Sequence, residues 1–290
     1  MQKIGDSELI LNPSGSIYHL NLLPENLADT IILVGDQGRV PMISEYFDKI
    51  EFQTQNREFV THTGTYKGKR LSVISTGIGT DNIDIVVNEL DALVNIDLKE
   101  RVIKKEHKTL DLIRIGTSGA MQADIPVDMP VASKMSIGFD GLINFYAGRE
   151  KICNQKMEDA FKTHTGWNPI LNTPYFVDAS DELLKKISHD MITGITIAAP
   201  GFYGPQGRIL RLQTVDLELN DKISSFDYNG LKVTNFEMES SAIYGLSKLL
   251  GHNALTVCNI IANRLRKEYS KDYKKSVRNL VETVLERIVS

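Results

Sequence analysis

The chain has 290 residues, 42% hydrophobic and 24% charged, which is ordinary for a globular protein and excludes a disordered or fibrous one. A formal net charge of -4 leaves no basic field for nucleic acid, and the two cysteines, Cys153 and Cys258, make neither a disulfide framework nor a zinc spacing and suit a reducing compartment. Met1 to Ser16 has no apolar core of a secretory signal, and no run approaches the ~20 apolar residues of a membrane span, so the expectation is a cytoplasmic protein without membrane or nucleic-acid partners.

Ile31-Ile32-Leu33-Val34 reads as a buried strand that enters the turn Gly35-Asp36-Gln37-Gly38, with a helix following over about Pro41–Phe47. Glu58–Tyr66 and Arg70–Ser75 read as strands joined by a turn at Lys67-Gly68-Lys69. A glycine loop, Thr76-Gly77-Ile78-Gly79-Thr80, precedes a helix from about Asp81 with Ile85, Val86, Leu90, Leu93 and Val94 at helical spacing. The charged stretch Asp97–Lys108 reads as a solvated helix or loop. Asp111–Ile115 is a strand ending in a turn at Gly116-Thr117-Ser118-Gly119, and further strands are expected near Met129–Ser136 and Thr193–Ala199. A helix from about Met238 puts Met238, Ala242, Leu246 and Leu249 on one face and stops at Gly251. Ala254–Ala262 is an apolar strand, and the last helix carries Tyr273, Val277, Leu280, Val284 and Ile288 at helical spacing. Alternating strands and helices, with no linker to divide them, predict one α/β domain over 1–290 around a buried sheet. Ligands of such sheets gather beyond the carboxyl ends of the strands.

Glycine-bearing turns after three apolar strands let backbone N–H groups approach an anion, and Arg39 and Arg114 add fork-shaped donors suited to phosphate. Arg114 lies inside an apolar strand, so it needs either an acidic partner or a bound anion. Glu237-Met238-Glu239-Ser240 supplies carboxylates that either favour a helix N-terminus or accept both hydroxyl protons of a sugar diol. Phe202-Tyr203-Gly204-Pro205-Gln206-Gly207-Arg208 combines an aromatic face, an amide and a guanidinium, which suits a flat heterocycle or an ordinary surface turn. No GxSxG, HExxH or P-loop occurs, and the run from Gly77 lacks the last glycine of a dinucleotide fingerprint, having Asn82 there.

In this order, Gly35–Arg39, Asn56–Phe59, Ser75–Gly79, Arg114–Gly119, Gln206–Arg208, Phe236–Ser240 and Asn263-Arg264 resemble the uridine phosphorylase branch of the type-I nucleoside phosphorylase family. The likeness begins at Ile17-Tyr18-His19-Leu20 and runs to the last helix. It implies a mixed central sheet with a distorted barrel surrounded by helices, and phosphorolysis of uridine, with deoxyuridine or thymidine as further candidates. It implies phosphate contacts from Gly35, Arg39, Arg114 and Thr117, and from Arg57 of a neighbouring subunit. It implies ribose contacts from Met238, Glu239 and a neighbour's His19, and base contacts from Phe202, Gln206, Arg208 and Arg264. Arg208, Arg114 and Glu239 carry the catalytic roles in that reading. No resident cofactor is implied; inorganic phosphate is a co-substrate, and Glu58 with the Ile78 carbonyl marks a position for potassium. A homo-oligomer with shared sites, a dimer or a hexamer, follows from the same likeness.

The sequence departs from the family at Gln37-Gly38, where Pro-Asp is frequent, at Asn82, where serine is common, and in a longer stretch over 95–109. Glu237 either orients Arg208 or Arg264 or caps its helix. Ile261-Ala262-Asn263-Arg264 lacks the aspartate with which purine-specific members bind N7, favouring a pyrimidine. The competing expectations are a purine nucleoside phosphorylase, a nucleosidase using water, and a nucleoside-binding protein without turnover.

Overall fold

The computed structural model describes residues 3–290. In chain order its strands and helices are β1 (Thr30–Val34), α1 (Arg39–Ser44), β2 (Lys49–Asn56), β3 (Phe59–Tyr66), β4 (Lys69–Ser75), α2 (Thr80–Asn95), β5 (Ile96–Asp97), β6 (Val102–Ile103), β7 (Asp111–Ala120) and β8 (Pro130–Gly138). They continue with α3 (Arg149–Ile152), α4 (Gln155–Thr165), β9 (Tyr175–Asp178), α5 (Asp181–Ile187), β10 (Ile192–Ala198), α6 (Leu219–Ser224), β11 (Asp227–Tyr228), β12 (Leu231–Glu237), α7 (Ser240–Leu250), β13 (Asn253–Asn263), β14 (Glu268–Tyr269) and α8 (Tyr273–Val289).

β1 is apolar except for Thr30, pairs on both edges with the parallel strands β4 and β7, and is buried at every position, as expected of a central parallel strand whose two faces are both covered. Beyond β4 the sheet continues antiparallel through β3 to β2. On its other side β7 pairs with β13, and the order β7–β13–β8–β10–β12 returns to β7, closing a barrel. The fold is therefore α/β, with a mixed central sheet and a closed, irregular barrel wrapped by helices. Register shifts at Gly194/Ile195, Ile195/Thr196 and Ile260/Ala262 bend its strands.

β7 places the site. On one edge its first residues pair with β1, as far as Arg114, and its last pair with β12, from Gly119. Neither neighbour pairs with the residues between, so a crevice opens there beyond the end of β1, as expected where strand order switches. α7 is fixed to the barrel by Tyr244, whose hydroxyl donates to the Ser133 carbonyl at 2.7 Å and accepts from the Thr256 N–H at 2.8 Å. α2 packs beside α7 and carries Ile83, Val86, Val87, Leu90 and Leu93 buried.

Three local expectations need correction. Gly116–Gly119 is not a turn but the continuation of β7, because β13 pairs with it throughout. The first helix spans Arg39–Ser44 rather than Pro41–Phe47, and Met238 lies ahead of α7, outside the helix face proposed for it. β2, polar and exposed at alternate positions, is an edge strand that apolar patterning alone did not mark. The charged stretch from Asp97 forms the small hairpin β5–β6 and a loop exposed over 103–109.

Candidate active site

A cavity of about 690 Å³ lies at the crevice. The turn after β1 contributes Gly35, Gln37 and Arg39; the loop after β4 contributes Gly77 and Ile78; β7 contributes Arg114 and Thr117. The loop after β10 adds Phe202, Gln206 and Arg208, and the end of β12 adds Glu237, Met238 and Glu239.

At one end the chemistry is that of an anion site. Arg114 is 5% exposed, and its Nη2 donates to the Glu239 carboxylate and lies 3.6 Å from Glu237 Oε2. Arg114 thus has the acidic partners its burial demands, yet its Nε and Nη1 are buried without a partner. Burial alone would lower this guanidinium; Glu239 and Glu237 more than offset that and hold it above its usual value. Arg39 Nη2 donates to Thr117 Oγ1 at 3.4 Å, and burial, with the nearby charge of Arg114, lowers the Arg39 pKa. Two guanidiniums that repel each other in one cavity wall present an arrangement that an anion relieves. Gly116 makes room for the Arg114 guanidinium: a Cβ there would stand 1.8 Å from Arg114 Nη1 and 3.0 Å from Cys258 Sγ.

The carboxylates are held from the backbone. Glu239 Oε1 accepts the Gly79 N–H at 2.8 Å, tying the β4–α2 loop to the start of α7. Glu237 accepts the N–H groups of Glu239 and Ser240, at 3.0 and 2.9 Å, and the Ser240 hydroxyl. It caps α7 and faces Arg114; its recorded polar contacts include neither Arg208 nor Arg264. Burial pushes its carboxyl up to about 7, with Arg114 opposing and Glu239 adding.

At the opposite end, Arg208 lies over the Phe202 ring, 3.8 Å from its centroid, and donates to the Phe202 carbonyl at 2.6 Å and to Gln206 Oε1. Gln206 is 3% exposed, and its carbonyl accepts from Arg264 and, at 3.2 Å, from Asn220. Arg264 therefore stands behind the amide rather than in the cavity wall. Partial burial lowers the Arg208 pKa, and the charge of Arg264 lowers it further. Phe202 itself is 50% exposed, its face taken by the guanidinium.

His19 and Arg57 lie outside this cavity and together. His19 Nδ1 is 2.6 Å from Glu89 Oε1, Asn56 Nδ2 donates to the His19 carbonyl at 2.8 Å, and the Arg57 guanidinium is 5.9 Å from the Tyr18 ring centroid.

Two groups of side chains carry possible cation ligands. In the cavity wall Asn82 Nδ2 donates to the Ile78 carbonyl at 3.5 Å, with Glu58 in the same wall. Away from the cavity, Asp91, His107 and His252 bring ligand atoms within 4.8 Å. There the Leu110 N–H donates to His252 Nδ1 at 3.2 Å, so Nε2 carries the proton and has no lone pair for a metal.

The family model of the phosphorylase superfamily matches residues 29–290. The chain belongs to this superfamily. It is 30% identical to a uridine phosphorylase of Thermococcus kodakarensis over 275 residues, 93% of this chain and 85% of that one. It is 29% identical to a DeoD-type purine nucleoside phosphorylase of Listeria monocytogenes over 83% of this chain and 85% of that one. Among solved structures, a Trypanosoma brucei nucleoside phosphorylase described as showing uridine phosphorylase activity superposes with a TM-score of 0.87 at 31% identity, covering 97% of this chain and 99% of that one. A Phytophthora capsici uridine phosphorylase shares the fold, with a TM-score of 0.68 at 20% identity and coverage of 100% and 99%.

For this phosphorylase-superfamily chain, the cavity gathers Gly35, Arg39, Arg114, Thr117, Met238, Glu239, Phe202, Gln206 and Arg208 from the sequence expectation, and leaves out His19, Arg57 and Arg264. The sequence reading missed Gln37, Ser118, Ile261 and Tyr269 in the wall, and Gly116 behind Arg114. Gly116 had a legible signal: two residues after Arg114 in a strand, it shares that face, and a long buried side chain there needs space beside it. Tyr269 had none, because it reaches the cavity only through the short pairing of β14 with β13.

Proposed function

We propose that the protein is a uridine phosphorylase, a pentosyltransferase that reversibly converts uridine and inorganic phosphate into uracil and ribose 1-phosphate. One observation carries the reading: Arg114, Arg39 and Thr117 share the wall of one cavity with an amide–guanidinium pair, Gln206 and Arg208, and with the carboxylate of Glu239. A hydrolase has no need of the first group, and a dehydrogenase has no use for the pair. The names of the Thermococcus and Trypanosoma relatives support the same choice.

In this reading phosphate rests on Gly35, Arg39, Arg114 and Thr117 and attacks C1′. The C1′–N1 bond breaks, its electron pair leaves with uracil, and the uracil anion takes a proton from solvent. Glu239 accepts from the ribose hydroxyls, its orientation set by Arg114 and the Gly79 N–H, with Met238 beside the sugar. Arg208 and Gln206 stabilise charge on the departing uracil, and Arg264 fixes the Gln206 backbone. Phe202 covers the base once Arg208 turns from the ring toward it. The β13 end reads Ile261-Ala262-Asn263, without an acid for a purine N7. His19 and Arg57, side by side and outside their own cavity, serve the cavity of a neighbouring subunit in a homo-oligomer. No resident cofactor is invoked. No described helix is long and apolar enough to cross a membrane, and both cysteines are free, in keeping with a cytoplasmic enzyme.

The test is release of free uracil from uridine with and without inorganic phosphate, with inosine run in parallel. Uracil only with phosphate, and no hypoxanthine, is the expected result. Base release without phosphate would make the protein a nucleosidase, release from inosine alone a purine enzyme, and release from neither a binding protein.

A further inference from the structure

The turn between β2 and β3 faces two ways. Asn56 pairs with Phe59, so only Arg57 and Glu58 make the turn. Glu58 lines this subunit's own cavity, while Arg57 stands outside it beside Tyr18. Arg57 has φ 52°, a left-handed conformation that costs a non-glycine residue on the order of 1–3 kcal/mol and persists only when its surroundings hold it. Three side chains do so. Ser75 Oγ donates to the Glu58 carbonyl at 2.6 Å, and Asn56 Nδ2 donates to the carbonyls of Tyr18 and His19 at 3.3 and 2.8 Å. The third is Gln37, whose Nε2 donates to the Arg57 carbonyl at 2.9 Å.

Gln37 belongs to the loop between Gly35 and Arg39 and lines the cavity. Asp36 Oδ1 accepts the Gly38 N–H at 2.9 Å, folding that loop on itself, so a shift of the loop carries Gln37 with it. The proline frequent in this family at the position has no side-chain donor, which makes the tie a property of this sequence.

We propose that Gln37 is a positioning residue that links the phosphate loop of its own subunit to the Arg57 offered to the neighbouring subunit, so that the phosphate sites of adjacent subunits are coupled. The proposal rests on the reading in which Arg57 completes the neighbour's site. A single neutral hydrogen bond of this kind supports a coupling of about two- to tenfold in phosphate affinity.

The test uses the intact homo-oligomer and phosphate-dependent release of uracil. Gln37→Ala should raise the phosphate KM about two- to tenfold and leave the uridine KM unchanged. The decisive sample is a mixed oligomer, purified through two affinity tags, of Gln37→Ala subunits with Arg114→Ala subunits. Its live sites have a mutated phosphate loop but receive Arg57 from subunits whose Gln37 is intact. A return of the phosphate KM to the wild-type value supports the proposal. A KM that stays raised means that Gln37 acts on phosphate in its own cavity and overturns it, as does an unchanged KM in the Gln37→Ala homo-oligomer. Arg57→Ala is run beside these: if it leaves the phosphate KM unchanged, the shared-site reading itself has failed, and the coupling falls with it.

Discussion

The two ends of the cavity are built differently. Arg114 rises from the middle of β7, is almost wholly buried, and is clamped by two carboxylates that are themselves fixed to backbone N–H groups, Glu237 at the start of α7 and Glu239 at Gly79 ahead of α2. Arg208 and Gln206 sit on a loop whose continuation displays Leu210, Leu212 and Val215 at 78%, 84% and 78% exposure. The first end is made by strands of the barrel and is set before any ligand arrives. The second is displayed on a loop, braced at the Gln206 backbone by Asn220 and Arg264, with Arg208 resting on Phe202 in place of a base. A preorganised charge site beside an adjustable recognition loop suits a reaction whose common step is placing phosphate and whose selectivity is reading the base.

That contrast can be broken most directly at Arg114. Arg114→Ala should lower kcat by about 100-fold or more and weaken phosphate binding, as steady-state kinetics in phosphate would show. It removes an anion donor and leaves Glu237 and Glu239 facing each other. Gly116→Ala should act in the same direction without touching a charge, because its Cβ would occupy the space of Arg114 Nη1. Near-native kinetics for Gly116→Ala would show that Arg114 is not held where the clamp places it.

Arg208→Ala should lower kcat by about 100-fold while leaving the phosphate KM within about twofold of wild type. Loss of phosphate affinity in that variant would mean that the two ends are not separate.

A smaller effect sharpens the account of the clamp. The raised pKa of Glu237 means that the native state retains a proton which the unfolded chain releases in the usual carboxylate range. Stability should therefore fall as pH rises from that range through about 7, and be fully retained below it. Glu237→Gln should flatten the decline, by roughly 1–3 kcal/mol between about pH 5 and pH 7.5, in denaturant titrations at the two values. An unchanged slope would assign the pH dependence to other groups. The smallest change is expected on the exposed loop, where Leu212→Ser should alter folding stability by less than about 0.5 kcal/mol.

Much of the arginine end of the cavity was legible because its signals are local: apolar strands followed by glycine and arginine. The same reasoning mistook Gly116–Gly119 for a turn, since small residues at the end of a run suggest one when β13 cannot be seen alongside. It also left the partner of Arg114 open, because Glu237 and Glu239 are distant in sequence and come together only when β12 closes the barrel on β7. The polar edge strand β2 was invisible to apolar patterning, although it carries the turn that presents Arg57. The cavity loop from Phe202 to Arg208 drew notice for its aromatic, amide and guanidinium groups, but the support of Gln206 by Asn220 and Arg264 from two other parts of the chain did not show.

The measurement that tests the central claim most directly is a crystal structure of the wild-type protein with phosphate and uracil bound. The account predicts phosphate within hydrogen-bond distance of Arg39, Arg114 and Thr117, and the uracil edge on Gln206 and Arg208 with Phe202 over its face. Phosphate held instead at Arg208 and Arg264, with uracil absent from the Gln206 amide, would contradict it.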